Sequence, residues 1–146
     1  MKITGLITEY NPFHNGHQYH IEKAKKLTKA DKVVVVMSGN FVQRGAPALL
    51  PKHLRAKMAL KSGADLVIEL PVFYACASAE YFAYGAVSLL HALRCVDSIC
   101  FGSECGDLTL LQKAADIMAE EPDAYKHSLQ SYLRDGYRFP LARQKA

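Results

Sequence analysis

A chain of 146 residues, half of them hydrophobic, can bury a core of its own, and 22% charged residues exclude wholesale disorder. The formal net charge of +4 permits a nucleic-acid partner without demanding one. No apolar run is long enough to span a bilayer, and residues 1–7 form too short a stretch, too soon interrupted by Glu9, to act as a signal peptide.

Strands and helices alternate along the chain. Residues 3–8 read as a short buried strand. Residues from about 17 to 28 read as a helix, with Tyr19, Ile21, Ala24 and Leu27 alternating with Glu22, Lys23, Lys25 and Lys26. The β-branched run at 32–37 has the pattern of a parallel strand covered on both faces. A polar loop over 38–47 follows. Pro51 then opens a helix through Arg55, Met58 and Leu60 that Gly63 ends. Residues 65–70 form a third strand stopped by Pro71, and residues 78–93 an apolar helix. Residues 98–102 form a fourth strand. The stretch 107–135 is helical with a break near Pro122. No repeat, low-complexity stretch or linker interrupts the chain, so residues 1–146 read as one domain. Cys76, Cys95, Cys100 and Cys105 make no CxxC pair, and they read as reduced, mostly buried thiols of a cytosolic protein rather than a zinc or redox site.

This alternation implies βαβ units with right-handed crossovers. The expected fold is therefore α/β, a Rossmann-like parallel sheet sandwiched by helices. Ligands of such sheets bind past the carboxyl ends of the strands. Here those ends are the loops starting at Glu9, Ser38, Pro71 and Gly102. The third differs from the others in its aromatic pair, Phe73 and Tyr74.

The first loop carries the chemistry. It runs Thr8-Glu9-Tyr10-Asn11-Pro12-Phe13-His14-Asn15-Gly16-His17 and joins the first strand to the first helix. The helix start offers free backbone N–H groups and the positive end of the dipole, which suits phosphate. Gly16 lets a ligand approach the backbone closely. His14 and His17 can both donate to phosphate oxygens and stabilise charge as the bond between the α- and β-phosphates breaks. This is the HxGH nucleotidyltransferase pattern, and its place between a first strand and a first helix makes it specific. With His20 it suggests a zinc site, but no carboxylate or thiolate partner accompanies the three rings. No protein-held metal is expected, and magnesium should arrive with the ATP phosphates.

Four segments together carry a family resemblance. They are the run 8–17, the run Met37-Ser38-Gly39-Asn40-Phe41-Val42-Gln43-Arg44-Gly45, the run Gly63-Ala64-Asp65-Leu66-Val67-Ile68-Glu69-Leu70-Pro71, and Phe101-Gly102-Ser103-Glu104. They are similar to the bacterial tRNA(Met) cytidine acetate ligase family, and the likeness covers nearly the whole chain. It implies an ATP-dependent, RNA-modifying ligase. ATP and acetate would give acetyl-adenylate and pyrophosphate, and the acetyl group would pass to N4 of the wobble cytidine of elongator tRNA(Met). The implied catalytic residues are His14 and His17. The implied ATP site takes in Ile7, Thr8, Glu9, Tyr10, Asn11, Pro12, Phe13, His14, Asn15, Gly16, His17, Gln18, Tyr19 and His20, with Gly102 against the nucleotide.

Two parts of the superfamily's pattern are missing: a fifth strand, and a Ser/Thr-rich loop with a basic residue that clamps the phosphates. Ser131-Tyr132-Leu133-Arg134 resembles the clamp only superficially and sits in a helical stretch. The expectation is an N-terminal fragment of a longer protein, binding ATP weakly and inactive by itself.

Basic residues form two clusters: Lys23, Lys25, Lys26 and Lys29 on the first helix, and Lys52, His53, Arg55, Lys57 and Lys61 on the second. They read as solvated helix faces or as a phosphate-tracking surface. The resemblance favours tRNA contact by Arg44, Lys52, Arg55 and Lys57. Arg44 stands out because it lies in a loop at the ligand edge, where Asn40 and Gln43 could read polar groups. Glu69 could join the site, cap a helix or pair with a lysine. Two other functions use the same turn. One is a small-molecule nucleotidyltransferase acting on a phosphorylated metabolite; the other is a non-catalytic nucleotide- or RNA-binding module.

Overall fold

The computed structural model describes residues 1–146. They form two compact units, Met1–Gly102 and Ser103–Ala146, where the sequence suggests one domain.

In the first unit β1 (Ile3–Thr8), β2 (Lys32–Ser38), β3 (Leu66–Leu70) and β4 (Ser98–Ile99) form one sheet in the order β3-β2-β1-β4. All pairings are parallel, as βαβ connections require. The helices are α1 (Asn15–Thr28), α2 (Lys52–Lys61), the short α3 (Val72–Ala75) and α4 (Ala79–Ala92). Side chains on a strand alternate between faces, and the core divides accordingly. Leu6, Val33, Val35 and Met37 join Ile21 and Ala24 of α1 and Ala59 of α2 on one face. Ile3, Val34, Val36 and Leu70 join Ala75, Ala86 and Leu90 on the other. β2 is thus buried on both sides, as its β-branched run anticipates.

The sequence reading needs four local corrections. α1 begins at Asn15 rather than near 17, because the side chain of His14 caps it. Tyr19 and Leu27, read as part of its apolar face, are exposed, and only Ile21 and Ala24 are buried there. The fourth strand ends at Ile99 instead of 102: after Cys100 N–H donates to the Gly5 carbonyl, the chain leaves β1 and Phe101 is exposed. Cys95 and Cys105 are exposed, since they lie in connections outside the helices, while Cys76 and Cys100 are half-buried.

The second unit contains α5 (Leu108–Glu120), α6 (Asp123–Arg134) and α7 (Phe139–Lys145) and no strand. Asp107 caps α5 by accepting from the N–H groups of Thr109 and Leu110. Pro122 separates α5 from α6, as expected. Tyr125 and Ala142 are its buried residues. The Ser131–Arg134 stretch lies at the end of α6, so it is helix and not a clamp loop. No helix in the chain is long and apolar enough to cross a membrane.

Candidate functional site

The strand order creates a switch point. From β1 the chain steps to β2 and β3 on one side, then returns to place β4 on the other. In open parallel sheets the crevice at such a reversal, beyond the carboxyl ends of the strands, is where ligands sit. The crevice between β1 and β4 is flanked by the 9–17 loop and by Cys100-Phe101-Gly102.

The HxGH turn closes on itself as a capping box. Nδ1 of His14 accepts from Gly16 N–H at 3.1 Å, and Nδ1 of His17 accepts from His14 N–H at 3.2 Å. The two rings stack with centroids 3.7 Å apart. A Cβ on Gly16 would lie 3.0 Å from the His14 ring, so glycine leaves room for the cap. With both Nδ1 atoms accepting, the neutral rings carry their protons on Nε2. Neither Nε2–H donates to another group of the protein. Two fixed donors at a helix N-terminus are thus available to an anion.

The surroundings keep His17 neutral. Burial first, then the neighbouring imidazoles of His14 and His20, hold its pKa below the ordinary range. Burial also lowers His20, opposed by the Cys100 backbone. The ring of His17 rests on Tyr10 and Phe13, at 4.8 and 5.5 Å between centroids.

The residues of the implied ATP site differ in exposure and in what their side chains already bind. Tyr10 is 1% exposed and belongs to the core beneath His17, with left-handed backbone at φ 50. Burial pushes its hydroxyl up to about 12, partly offset by the nearby Thr8 hydroxyl, although the two make no well-formed hydrogen bond. Ile7 packs into the opposite core. The carboxylate of Glu9 accepts from Gln43 N–H at 2.6 Å, and the amide oxygen of Asn11 accepts from Leu49 N–H at 2.7 Å. Both hold the neighbouring loop. Gln18 is occupied with Glu22 on the helix surface. Pro12, His14, Asn15, Gly16 and Tyr19 are exposed, and Thr8, Phe13, His17 and His20 half-buried. Gly102 is exposed, and nothing within 4 Å would meet a Cβ there.

The basic residues separate sharply. Arg44 is exposed at the tip of a small hairpin. There Phe41 bridges Pro47 and Val42 N–H donates to the Ala46 carbonyl at 2.9 Å. Its backbone is left-handed at φ 70, a strain of about 1 kcal/mol for a non-glycine residue, and its side chain makes no ion pair. Lys52 pairs with Glu69 at 2.6 Å, which selects the lysine-pairing alternative for Glu69. The side-chain oxygen of Asn40 accepts from Lys52 N–H, so it holds the start of α2. Lys57 is exposed. Arg55 overturns its expectation as a surface RNA contact. It is completely buried, donating to the carbonyls of Leu50, Glu9 and Gly39. The signal was its spacing of four from Ala59, which puts both on the inner face of α2.

An HxGH capping box beside the switch point of a parallel sheet defines a nucleotidyltransferase-type domain. The chain belongs to the HIGH Nucleotidyl Transferase family, whose model matches residues 1–146. It is 58% identical over its whole length to a tRNA(Met) cytidine acetate ligase of Clostridium perfringens, covering 36% of that protein. The corresponding enzyme of Acetivibrio thermocellus is 59% identical, with 35% of its length covered. Thermotoga maritima TmcAL bound with alpha-thio ATP superimposes with a TM-score of 0.91 at 50% identity, over 98% of this chain and 35% of that one. The chain thus spans about a third of the length of the relatives it matches.

Proposed function

We propose that this chain is the ATP-binding part of a tRNA(Met) cytidine acetate ligase. The observation that carries the reading is the pair of unengaged Nε2–H donors on His14 and His17, set at a helix N-terminus beside the β1/β4 crevice. The relative that binds an ATP analogue has the same fold over nearly all of this chain.

In the proposed reaction an acetate oxygen attacks the α-phosphorus of ATP. A new C–O–P link forms, the bond to the bridging oxygen of the pyrophosphate breaks, and pyrophosphate leaves with the electron pair. His14 and His17 donate hydrogen bonds to the oxygens on which that charge grows, and neither ring needs to give up a proton. N4 of the wobble cytidine then attacks the acetyl carbon, releases AMP and loses a proton. Magnesium would arrive bound to the phosphates of ATP and would there help neutralise the charge of the leaving pyrophosphate. Of the four basic residues expected at tRNA, Arg44 and Lys57 are exposed and without an ion pair, and they are the two we assign to it.

The test uses the full-length protein with ATP, labelled acetate and tRNA. The expected products are acetyl-adenylate and labelled tRNA. Appearance of neither refutes the assignment.

A further inference from the structure

Arg55 is an unusual residue to bury. A guanidinium out of water costs several kcal/mol unless its donors are met, and an apolar side chain would fill the same volume with less penalty. No carboxylate lies within ion-pair distance of it. Its acceptors are instead three backbone carbonyls on separate pieces of chain: Glu9 just past β1, Gly39 just past β2, and Leu50 before α2. Only a rigid planar fork reaches all three at once.

The same two loops are joined twice more. Glu9 accepts from Gln43 N–H and Asn11 accepts from Leu49 N–H, so the 39–50 loop is fastened near its start, tip and end to the loop that leads into the HxGH turn. Between these ties stands the Arg44 hairpin, whose tip guanidinium is left unpaired. Every side-chain tie thus holds the scaffold of the hairpin, while the charge it carries stays unengaged.

We infer that Arg55 is a positioning residue: it locks the 39–50 loop against the HxGH loop, so that Arg44 stands at a fixed place beside the nucleotide crevice for a phosphate of the RNA acceptor. This rests on the RNA-modifying reading above. It adds that the acceptor is met from the β1/β2 side of the sheet edge, across from β4.

The test is a double-mutant cycle in the full-length protein, reading the concentrations of tRNA and of ATP that half-saturate acetylation. Arg55→Lys keeps the charge but cannot span three carbonyls. It and Arg44→Ala should each raise the tRNA value by roughly 10-fold and leave the ATP value within about 2-fold, with the double variant no worse than the worse single one. Independent effects, multiplying to roughly 100-fold, overturn the proposal. So does an Arg55→Lys protein that behaves as wild type or loses ATP and tRNA equally. Should Arg55→Lys fail to fold, Glu9→Ala, which releases Gln43 N–H and removes a carboxylate charge that favours the Arg55 guanidinium, takes its place in the cycle under the same criteria. A wild-type protein that acetylates nothing refutes the RNA-modifying reading instead. Hydrogen exchange then decides the lock. In Arg55→Lys the amide of Gln43, and in Glu9→Ala the amide of Leu49, whose own acceptor Asn11 is intact, should exchange at least about 10-fold faster while Val35 in β2 is unchanged, and an unchanged amide refutes it.

Discussion

The backbone N–H of His14 donates to Nδ1 of His17, and the ring of His14 lies stacked 3.7 Å from the ring it caps. One hydrogen bond therefore serves two purposes. It closes the first turn of α1, and it sets the tautomer that leaves Nε2–H of His17 available to a ligand. The two purposes separate by substitution. Asn at 17 places an acceptor near the position of Nδ1 but has no donor at the position of Nε2. His17→Asn should keep the cap and cost under about 0.5 kcal/mol, while His17→Ala should cost about 1 kcal/mol. Both should lower acetate activation by roughly 100-fold or more. Thermal melts and acetate-dependent pyrophosphate exchange check this, and an active His17→Asn protein would show that Nε2–H does not act.

Gly102 gives the complementary case, binding without stability. A methyl group at 102 meets no protein atom within 4 Å, and the backbone there does not require glycine, so Gly102→Ala should melt with the wild type. If the nucleotide packs against this position the methyl should weaken ATP binding, by roughly 5- to 30-fold for a clash worth about 1–2 kcal/mol. Titration calorimetry with a non-hydrolysable ATP analogue gives the answer. Unchanged affinity would move the nucleotide away from Gly102.

What was legible in the sequence follows from which forces are local. β2 could be read because a strand buried on both faces needs the β-branched run at 32–37. The HxGH turn could be read because a strand, a loop and a helix follow within a few residues. The start of α1 was placed late because histidine is not among the usual capping side chains, and its cap depends on a reciprocal geometry that residue type does not display. Arg55 was misjudged for a different reason. Its partners are carbonyls up to 46 positions away, and a carbonyl belongs to every residue alike. The same limit hid the loop ties of Glu9 and Asn11, whose side-chain oxygens accept from backbone N–H groups 34 and 38 positions away.

Acid should loosen the fold through His17 and His20. Both are held below their ordinary value of 6.5, chiefly by burial, so the unfolded chain takes up protons first as pH falls. The stability owed to these neutral rings is complete above 6.5 and is lost as pH drops from there toward their lower folded values. Protonating Nδ1 of His17 also removes the acceptor that caps α1. The urea midpoint should therefore decline between about pH 7.5 and 5.5, and decline less in a His17→Asn/His20→Gln variant. Equal declines in both proteins would place the titration elsewhere.

The basic residues should differ in how they respond to salt, because only a free cation releases counterions from a phosphate. Arg44 is exposed and unpaired, whereas Lys52 already neutralises Glu69 at 2.6 Å. Removing Arg44 should flatten the plot of log affinity for tRNA against log salt by about one phosphate contact, a slope change near 0.7–0.9. Removing Lys52 exposes the Glu69 carboxylate, so it should weaken binding by added repulsion while changing the slope less than Arg44→Ala does. Lys23, on the exposed face of α1, serves as the control, and Lys23→Ala should leave affinity and slope unaltered. The measurement is filter binding of the full-length protein to tRNA from about 50 to 200 mM salt. Equal slopes for Arg44→Ala and Lys23→Ala would mean that the hairpin tip meets no phosphate.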